Sequence, residues 1–300
     1  MTETIAFIGL GNMGLPMTTN LVKAGYKVQG YDVVPAANDA AARVGVTIAA
    51  SATEAVKGAG VVISMLPNGK LVLALYDGGL LRAAAPGTLF IDCSTIDVDS
   101  ARAAHRLATA AGMESLDAPV SGGVGGAQAA TLTFMAGGSD KAVAGARPVL
   151  ERMGRKIVHC GGAGAGQAAK ICNNMILGIS MIAVGEAFVL AEKLGLSQEA
   201  LFDVASTSSG QCWALTTNCP VPGPVPASPA NNGYKPGFTA ALMLKDLLLS
   251  QEAAKSGGAA TELGRHAAEI FQKFVDAGQG GMDFSAIINA IRSASTPEKS

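Results

Sequence analysis

The sequence predicts an α/β N-terminal domain followed by an all-α C-terminal domain joined to it by a long interdomain helix, and three observations carry that prediction. Short apolar runs alternate with Ala-rich amphipathic segments through the first half, the alternation stops at the glycine cluster Gly161–Gly166, and a long apolar helical pattern begins directly beyond it. Strand–helix alternation of this kind implies a parallel sheet with crossover helices on its faces. At 300 residues the chain exceeds the size at which one hydrophobic core usually stops growing. Two domains are therefore expected, 1–162 and 163–300, with a cleft between them as the natural ligand site.

Taken in order, the strands expected in the first domain are Ile5–Ile8, Lys27–Tyr31, Val61–Met65, Leu89–Ile91 and Ser115–Leu116, each a short apolar run. Thr131–Ala136 and Lys156–His159, with a helix over Lys141–Met153 between them, extend the edge of the same sheet. Gln167–Leu194 reads as one helix that is apolar nearly all round, the pattern of a helix buried on every side. Further helices are expected at Gln198–Ser206, Thr239–Lys255, Thr261–Asp276 and Phe284–Arg292. Six of the thirteen prolines fall between Asn218 and Gly237, which excludes regular helix or central strand there. Long irregular loops in compact domains tend to be functional, so this one is a candidate wall of the active site.

Composition removes several function classes. The 22 Lys+Arg nearly cancel the 23 Asp+Glu, leaving no positive surplus to grip a polyanion, so no nucleic-acid partner is expected. Cys93, Cys160, Cys172, Cys212 and Cys219 form no C-x-x-C pair, and no secretory apolar region opens the chain. Reduced thiols in a cytoplasmic protein are the expectation. The apolar stretch Ile171–Gly185 is interrupted by Asn173, Asn174 and Ser180 and ends at Glu186, too short for a membrane span. His105, His159 and His266 lack metal-ligand spacing, so no metal is expected and none of the three is given a role. An apolar content of 49% combined with a helical second domain points to a homo-oligomer, a dimer or tetramer.

The most specific motif is Gly9-Leu10-Gly11-Asn12-Met13-Gly14, placed directly after a strand and opening a helix. Gly9 permits the tight turn, Gly11 lets backbone amides approach a pyrophosphate, and Gly14 allows close helix–strand packing, while the helix N-terminus favours phosphate charge. Asp32 ends the second strand about twenty residues on, where a carboxylate binds the ribose hydroxyls and repels a 2′-phosphate. These features together describe a Rossmann domain that binds NAD in preference to NADP.

Four segments resemble the 3-hydroxyisobutyrate dehydrogenases within the β-hydroxyacid dehydrogenase family. They are the glycine fingerprint with Pro16-Met17 and Asn20-Leu21, the run Asp117-Ala118-Pro119-Val120-Ser121-Gly122-Gly123, the run Gly164-x-Gly166-x-x-x-Lys170-x-x-Asn173-Asn174, and Leu244-Lys245-Asp246-Leu247. They span nearly the whole chain in the family's order, and Ser208-Ser209-Gly210 through Trp213 with Asn218–Gly223 narrows the likeness to that branch. The resemblance implies that Lys170 is catalytic and that Ser121, Gly122 and Gly123 hold the substrate carboxylate. It further implies that Asn174 positions the reacting group and that Leu66, Pro67, Thr95 and Lys245 contact the cofactor. It implies as well a role in valine breakdown.

The residues themselves support such chemistry. Oxidising an alcohol with NAD requires one group that takes the hydroxyl proton while the cofactor takes the hydride. Lys170 and Asn174, four residues apart on a helix, share a face and can reach one bound molecule. Burial, and a second ammonium such as Lys245, disfavour a charged lysine and let it accept a proton near neutral pH, whereas Asp246 restores charge to whichever lysine it pairs with. Asp246 is also a candidate substrate contact. A hydroxyl with two unhindered amides at Ser121–Gly123 suits a small carboxylate. The expected reaction is the reversible oxidation of a small 3-hydroxy acid. Rivals are the same machinery acting on L-serine or glycerate, a phosphogluconate-type enzyme that would need a larger helical domain, and an NAD sensor without chemistry.

Overall fold

The computed structural model describes residues 3–295. The chain folds into two compact units, Met1–Lys170 and Ile171–Ser300. The division falls inside the helix Ala165–Lys193, slightly beyond the Gly162 boundary read from the sequence.

The first unit is built on nine strands: β1 (Thr4–Ile8), β2 (Lys27–Tyr31), β3 (Thr47–Ile48), β4 (Val61–Ser64), β5 (Leu89–Asp92), β6 (Glu114–Asp117), β7 (Val120–Ser121), β8 (Leu132–Gly138) and β9 (Gly154–Gly161). The first six are parallel in the order β3-β2-β1-β4-β5-β6, so the chain reverses its direction of travel between β1 and β4. The central strands read as continuous apolar runs because both faces are covered. Ile5, Phe7, Ile63 and Ile91 point into one core, and Ala6, Val62 and Phe90 into another, as the two-residue period requires. In the second core Tyr76 meets Phe90 edge-on with ring centroids 5.4 Å apart.

Beyond β6 the sheet turns antiparallel. Leu116 faces Gly138, Asp117 faces Gly137, Val120 faces Phe134 and Ser121 faces Thr133, one unbroken register. β6 and β7 are thus a single strand interrupted at Ala118-Pro119, where proline has no amide to donate. β9 runs parallel to β8 on its other side. The helix Asp140–Leu150 starts where the Ser139 side chain caps the amide of Ala142.

The second unit is helical, with Gln198–Thr207, Trp213–Thr216, Ala240–Gly257, Glu262–Phe274 and Ile287–Ala294 as its further α-helices. Phe188, Met243, Leu247, Phe271 and Phe284 form its core. The expected helix Phe284–Arg292 is a 3₁₀ turn, Phe284–Ala286, leading into Ile287–Ala294. Asn218–Gly237 is irregular apart from a 3₁₀ turn, Pro229–Asn232, as its prolines require, but well tied. The Asn218 amide donates to Asp283, the Ser228 hydroxyl to the Cys219 carbonyl, and the Tyr234 hydroxyl to the Pro220 carbonyl at 2.9 Å.

The helix Ala165–Lys193 is long and apolar enough to cross a membrane by length and composition, and half of its apolar window is buried within the fold. It is not buried on every side, as its pattern had suggested. Gly178 and Gly185, seven residues apart, let Met243, Leu247 and Ile291 approach one stripe closely. Ile176 and Leu190 lie off that stripe and are 64% and 59% exposed.

Candidate active site

The register places Ile8, Tyr31, Ser64, Asp92 and Asp117 level across the parallel strands, so the segments that follow them all emerge at the carboxyl edge of the sheet. That edge, at the reversal between β1 and β4, is where open α/β sheets hold ligands.

The glycine loop has the form a dinucleotide requires. Gly9 sits at φ +97°, and a Cβ there would strike the Met65 carbonyl, while one on Gly14 would strike the Gly9 carbonyl. A Cβ on Gly11 would meet no protein atom within 4 Å. The loop is closed against its own sheet and open at its tip, where Gly11 and Asn12 are exposed. Asp32 is half-buried, and its carboxylate accepts the Leu10 amide at 2.7 Å and the Val34 amide at 2.8 Å. The ribose-binding candidate is therefore tied to the glycine loop. Val33, 82% exposed beside it, offers an apolar surface that sequence reasoning missed.

Leu66, Pro67 and Thr95 lie on the loops after β4 and β5. The Leu66 amide donates to the Ser94 hydroxyl at 2.7 Å, and that hydroxyl donates in turn to Asp92 at 2.6 Å. Ser64 also donates to Asp92, so one buried carboxylate ties the two strand ends together. Burial pushes the Asp92 carboxyl up to about 6, against the opposing hydrogen bonds from Ser94 and Ser64. The other carboxylate oxygen is buried without a hydrogen-bond partner.

Ser121 ends β7, and Gly122 and Gly123 follow at φ +131° and +60°, opening the helix Gly123–Gln128 with no side-chain cap. That helix is fastened to the glycine-loop helix Gly14–Lys23 by Asn20, whose buried amide donates to the Ala127 carbonyl at 2.6 Å. Asn20 stood in the sequence only as part of a fingerprint. Its function here is to hold the two loops in one frame.

Lys170 is 7% exposed and stands one helical turn before Asn174. In the second unit, Asn174 and Asp246 are buried, and the Asn174 side-chain nitrogen donates to the Asp246 carboxylate. The Asp246 carboxylate is thus an anchor for the Asn174 side chain. Lys245 is half-buried beside it, and Met243, Leu244 and Leu247 form the buried side of that helix, while Leu242 and Leu248 are 45% exposed.

Within the first unit, two residues outside the predicted set are tied to the ends of β5 and β6. His105, given no role from sequence, lies 3.0 Å from Asp117, and Gln167 is wholly buried against the Ser94–Ile96 loop. The five cysteines are unpaired, and the described residues contain no group of metal-ligating side chains.

Family models match both halves: the NAD binding domain of 6-phosphogluconate dehydrogenase over residues 4–162, and the NAD-binding domain of NADP-dependent 3-hydroxyisobutyrate dehydrogenase over residues 164–291. A probable 3-hydroxyisobutyrate dehydrogenase of Mycobacterium tuberculosis is 59% identical over 96% of this chain and 98% of its own length. The chain belongs to the 3-hydroxyisobutyrate dehydrogenase family. It is an NAD(P)-binding hydroxy-acid oxidoreductase. Another relative, an NAD-dependent L-serine dehydrogenase of Pseudomonas aeruginosa, is 48% identical over 95% of this chain and 96% of its own. The solved structure of a Mycobacterium tuberculosis 3-hydroxyisobutyrate dehydrogenase with L-serine matches at a TM-score of 0.95 and 59% identity, covering 97% of this chain and all of that one.

Proposed function

We propose that this dehydrogenase oxidises 3-hydroxyisobutyrate reversibly to methylmalonate semialdehyde with NAD, and that Lys170 is the general acid/base. The observation that carries the reading is Lys170 itself, a lysine only 7% exposed, one turn before an asparagine that a buried carboxylate holds in place. Lysines are almost never buried without a reason, and a buried lysine four residues from a buried, hydrogen-bonded asparagine on one helix face can reach the same bound molecule.

NAD, when bound on the glycine loop, supplies the hydride acceptor. Lys170 takes the hydroxyl proton at Nζ during oxidation and returns it during reduction. Ser121 and the amides of Gly122 and Gly123 hold the substrate carboxylate, and Asn174, oriented by Asp246, positions the reacting hydroxyl. Leu10, Asn12 and Met13 complete the pyrophosphate loop between its glycines, and Leu66, Pro67, Thr95 and Lys245 are assigned to the cofactor. Asp32 favours NAD because its carboxylate would repel a 2′-phosphate.

The division into a cofactor domain, 1–162, and a helical substrate domain, 163–300, belongs to the same reading. So do a cytoplasmic location, a role in valine breakdown, and the absence of membrane and nucleic-acid partners. Self-association as a dimer or tetramer is supported by the exposed apolar residues Ile176, Leu190 and Leu194. An open groove of about 630 Å³ lined by Val189, Leu190, Ile270, Phe274 and Ile291 adds to that support. L-Serine is the second reading for substrate, favoured by the relative and the structure that carry its name. Initial rates on 3-hydroxyisobutyrate, L-serine and D-glycerate, each with NAD and NADP, test the proposal. Highest kcat/KM on 3-hydroxyisobutyrate with NAD supports it, and highest kcat/KM on L-serine replaces the substrate while keeping the mechanism.

A further inference from the structure

Asp117 is the last residue of β6 and is 1% exposed. One carboxylate oxygen accepts the Gly164 amide at 2.8 Å and the other accepts the Gln167 amide at 2.9 Å, both at the start of the helix that carries Lys170. The first oxygen also lies 3.0 Å from His105 Nε2, and His105 Nδ1 lies 2.8 Å from the Ser115 hydroxyl. A carboxylate there complements the positive end of the helix as well as its unpaired amides. The approach depends on two glycines: a Cβ on Gly166 would strike the Met135 and Asp117 carbonyls, and one on Gly137 would strike Asp117 and the Gly166 amide.

Gln167 closes the arrangement from the other side. Its Nε2 donates to the Ser94 carbonyl at 2.7 Å, and its Oε1 accepts the Ile96 amide at 3.1 Å. One side-chain amide therefore grips the backbone on both sides of Thr95, as a neighbouring strand would. Ser94 also receives the Leu66 amide, so the loops after β4 and β5 share this anchor. Lys170 follows Gln167 by three residues, close to one turn of the same helix. All these residues belong to the first unit.

We propose that Asp117 and Gln167 are positioning residues that set the place of Lys170 relative to the Leu66 and Thr95 loops. The inference rests on the reading of Lys170 as the acid/base and on those loops as cofactor contacts. Glutamine is specified because the site needs a donor and an acceptor at one reach. Leucine supplies neither, ionised glutamate only the acceptor, and asparagine is one methylene short. Protonated glutamate supplies both.

The test compares Gln167→Leu, Gln167→Glu and Lys170→Ala with wild type in kcat, KM, NAD affinity and the pH dependence of kcat. Misplacing the reacting group by about 1 Å costs on the order of 100-fold, so Gln167→Leu is expected to lose roughly 10- to 100-fold in kcat measured at saturating NAD. The activity of Gln167→Glu relative to wild type should rise as pH falls and the introduced carboxyl takes up its proton. If Gln167→Leu keeps wild-type kcat while Lys170→Ala is inactive, the positioning role is overturned and the Lys170 reading stands. If Lys170→Ala is fully active, that underlying reading fails instead. Should the leucine variant not fold, Gln167→Glu decides alone: a relative activity that rises toward low pH supports the inference, and one that is flat with pH overturns it.

Discussion

Replacing Asp92 with asparagine should make the protein less sensitive to rising pH, because this carboxyl is buried where its charge is poorly supported. Its pKa stands at about 6 against an ordinary 3.8, with burial as the main cause. As pH rises, the unfolded chain gives up this proton first, so between the two values the folded state holds one proton more. Stability from this group is therefore highest below the ordinary value, falls as pH climbs toward 6, and stays lowered above it. Two pKa units correspond to about 3 kcal/mol. Asparagine keeps an acceptor for the Ser64 and Ser94 hydroxyls and never ionises. The stability advantage of Asp92→Asn over wild type should thus be roughly 2.5 kcal/mol larger at pH 7.5 than at pH 4, where the unfolded chain has already begun to lose this proton. Guanidinium unfolding followed by far-UV circular dichroism, with hydrogen exchange of peptides covering β4 and β5, measures it. An advantage that does not change between the two pH values would refute the reasoning, and one that shrinks as pH rises would mean that the folded protein stabilises the Asp92 charge.

Two further substitutions probe the cofactor loop and the apolar surface. Asp32→Asn removes a charge while keeping an acceptor for the Leu10 amide, and the preference for NAD over NADP should fall roughly tenfold, the scale of one charge-assisted hydrogen bond; an unchanged kcat/KM ratio would exclude Asp32 from discrimination. Leu190→Lys places a charge in the exposed apolar groove, and light scattering after gel filtration should show a smaller assembly with unchanged circular dichroism, whereas an unaltered mass would remove that groove from any subunit contact.

Most of the sheet was legible because its central strands are buried on both faces and carry uninterrupted apolar runs. β2 was placed to the residue, and β1, β4 and β5 to within a residue at either end. Thr47–Ile48 escaped because two partly exposed residues leave no periodic signal, and Val120–Ser121 because Pro119 breaks the strand that contains it. The glycine loop and Asp32 were legible for a different reason, since backbone φ and close approach select residue type locally. Bonds that join distant segments left no such trace. Gln167 meets Ser94 and Ile96 across some seventy residues, and His105 meets Asp117 through spatial proximity alone. The long helix misled because an apolar pattern on all sides records that its faces are apolar, not which neighbours cover them; Gly178 and Gly185 mark the covered stripe and Ile176 the uncovered one.

The claim on which the rest depends is that Lys170 moves the substrate proton. It is tested most directly by the rate of NADH formation from 3-hydroxyisobutyrate in Lys170→Ala, alongside titration of NAD binding to the same protein. A loss of roughly 10²- to 10⁴-fold in kcat with NAD affinity preserved is expected. Wild-type turnover in the variant would contradict it.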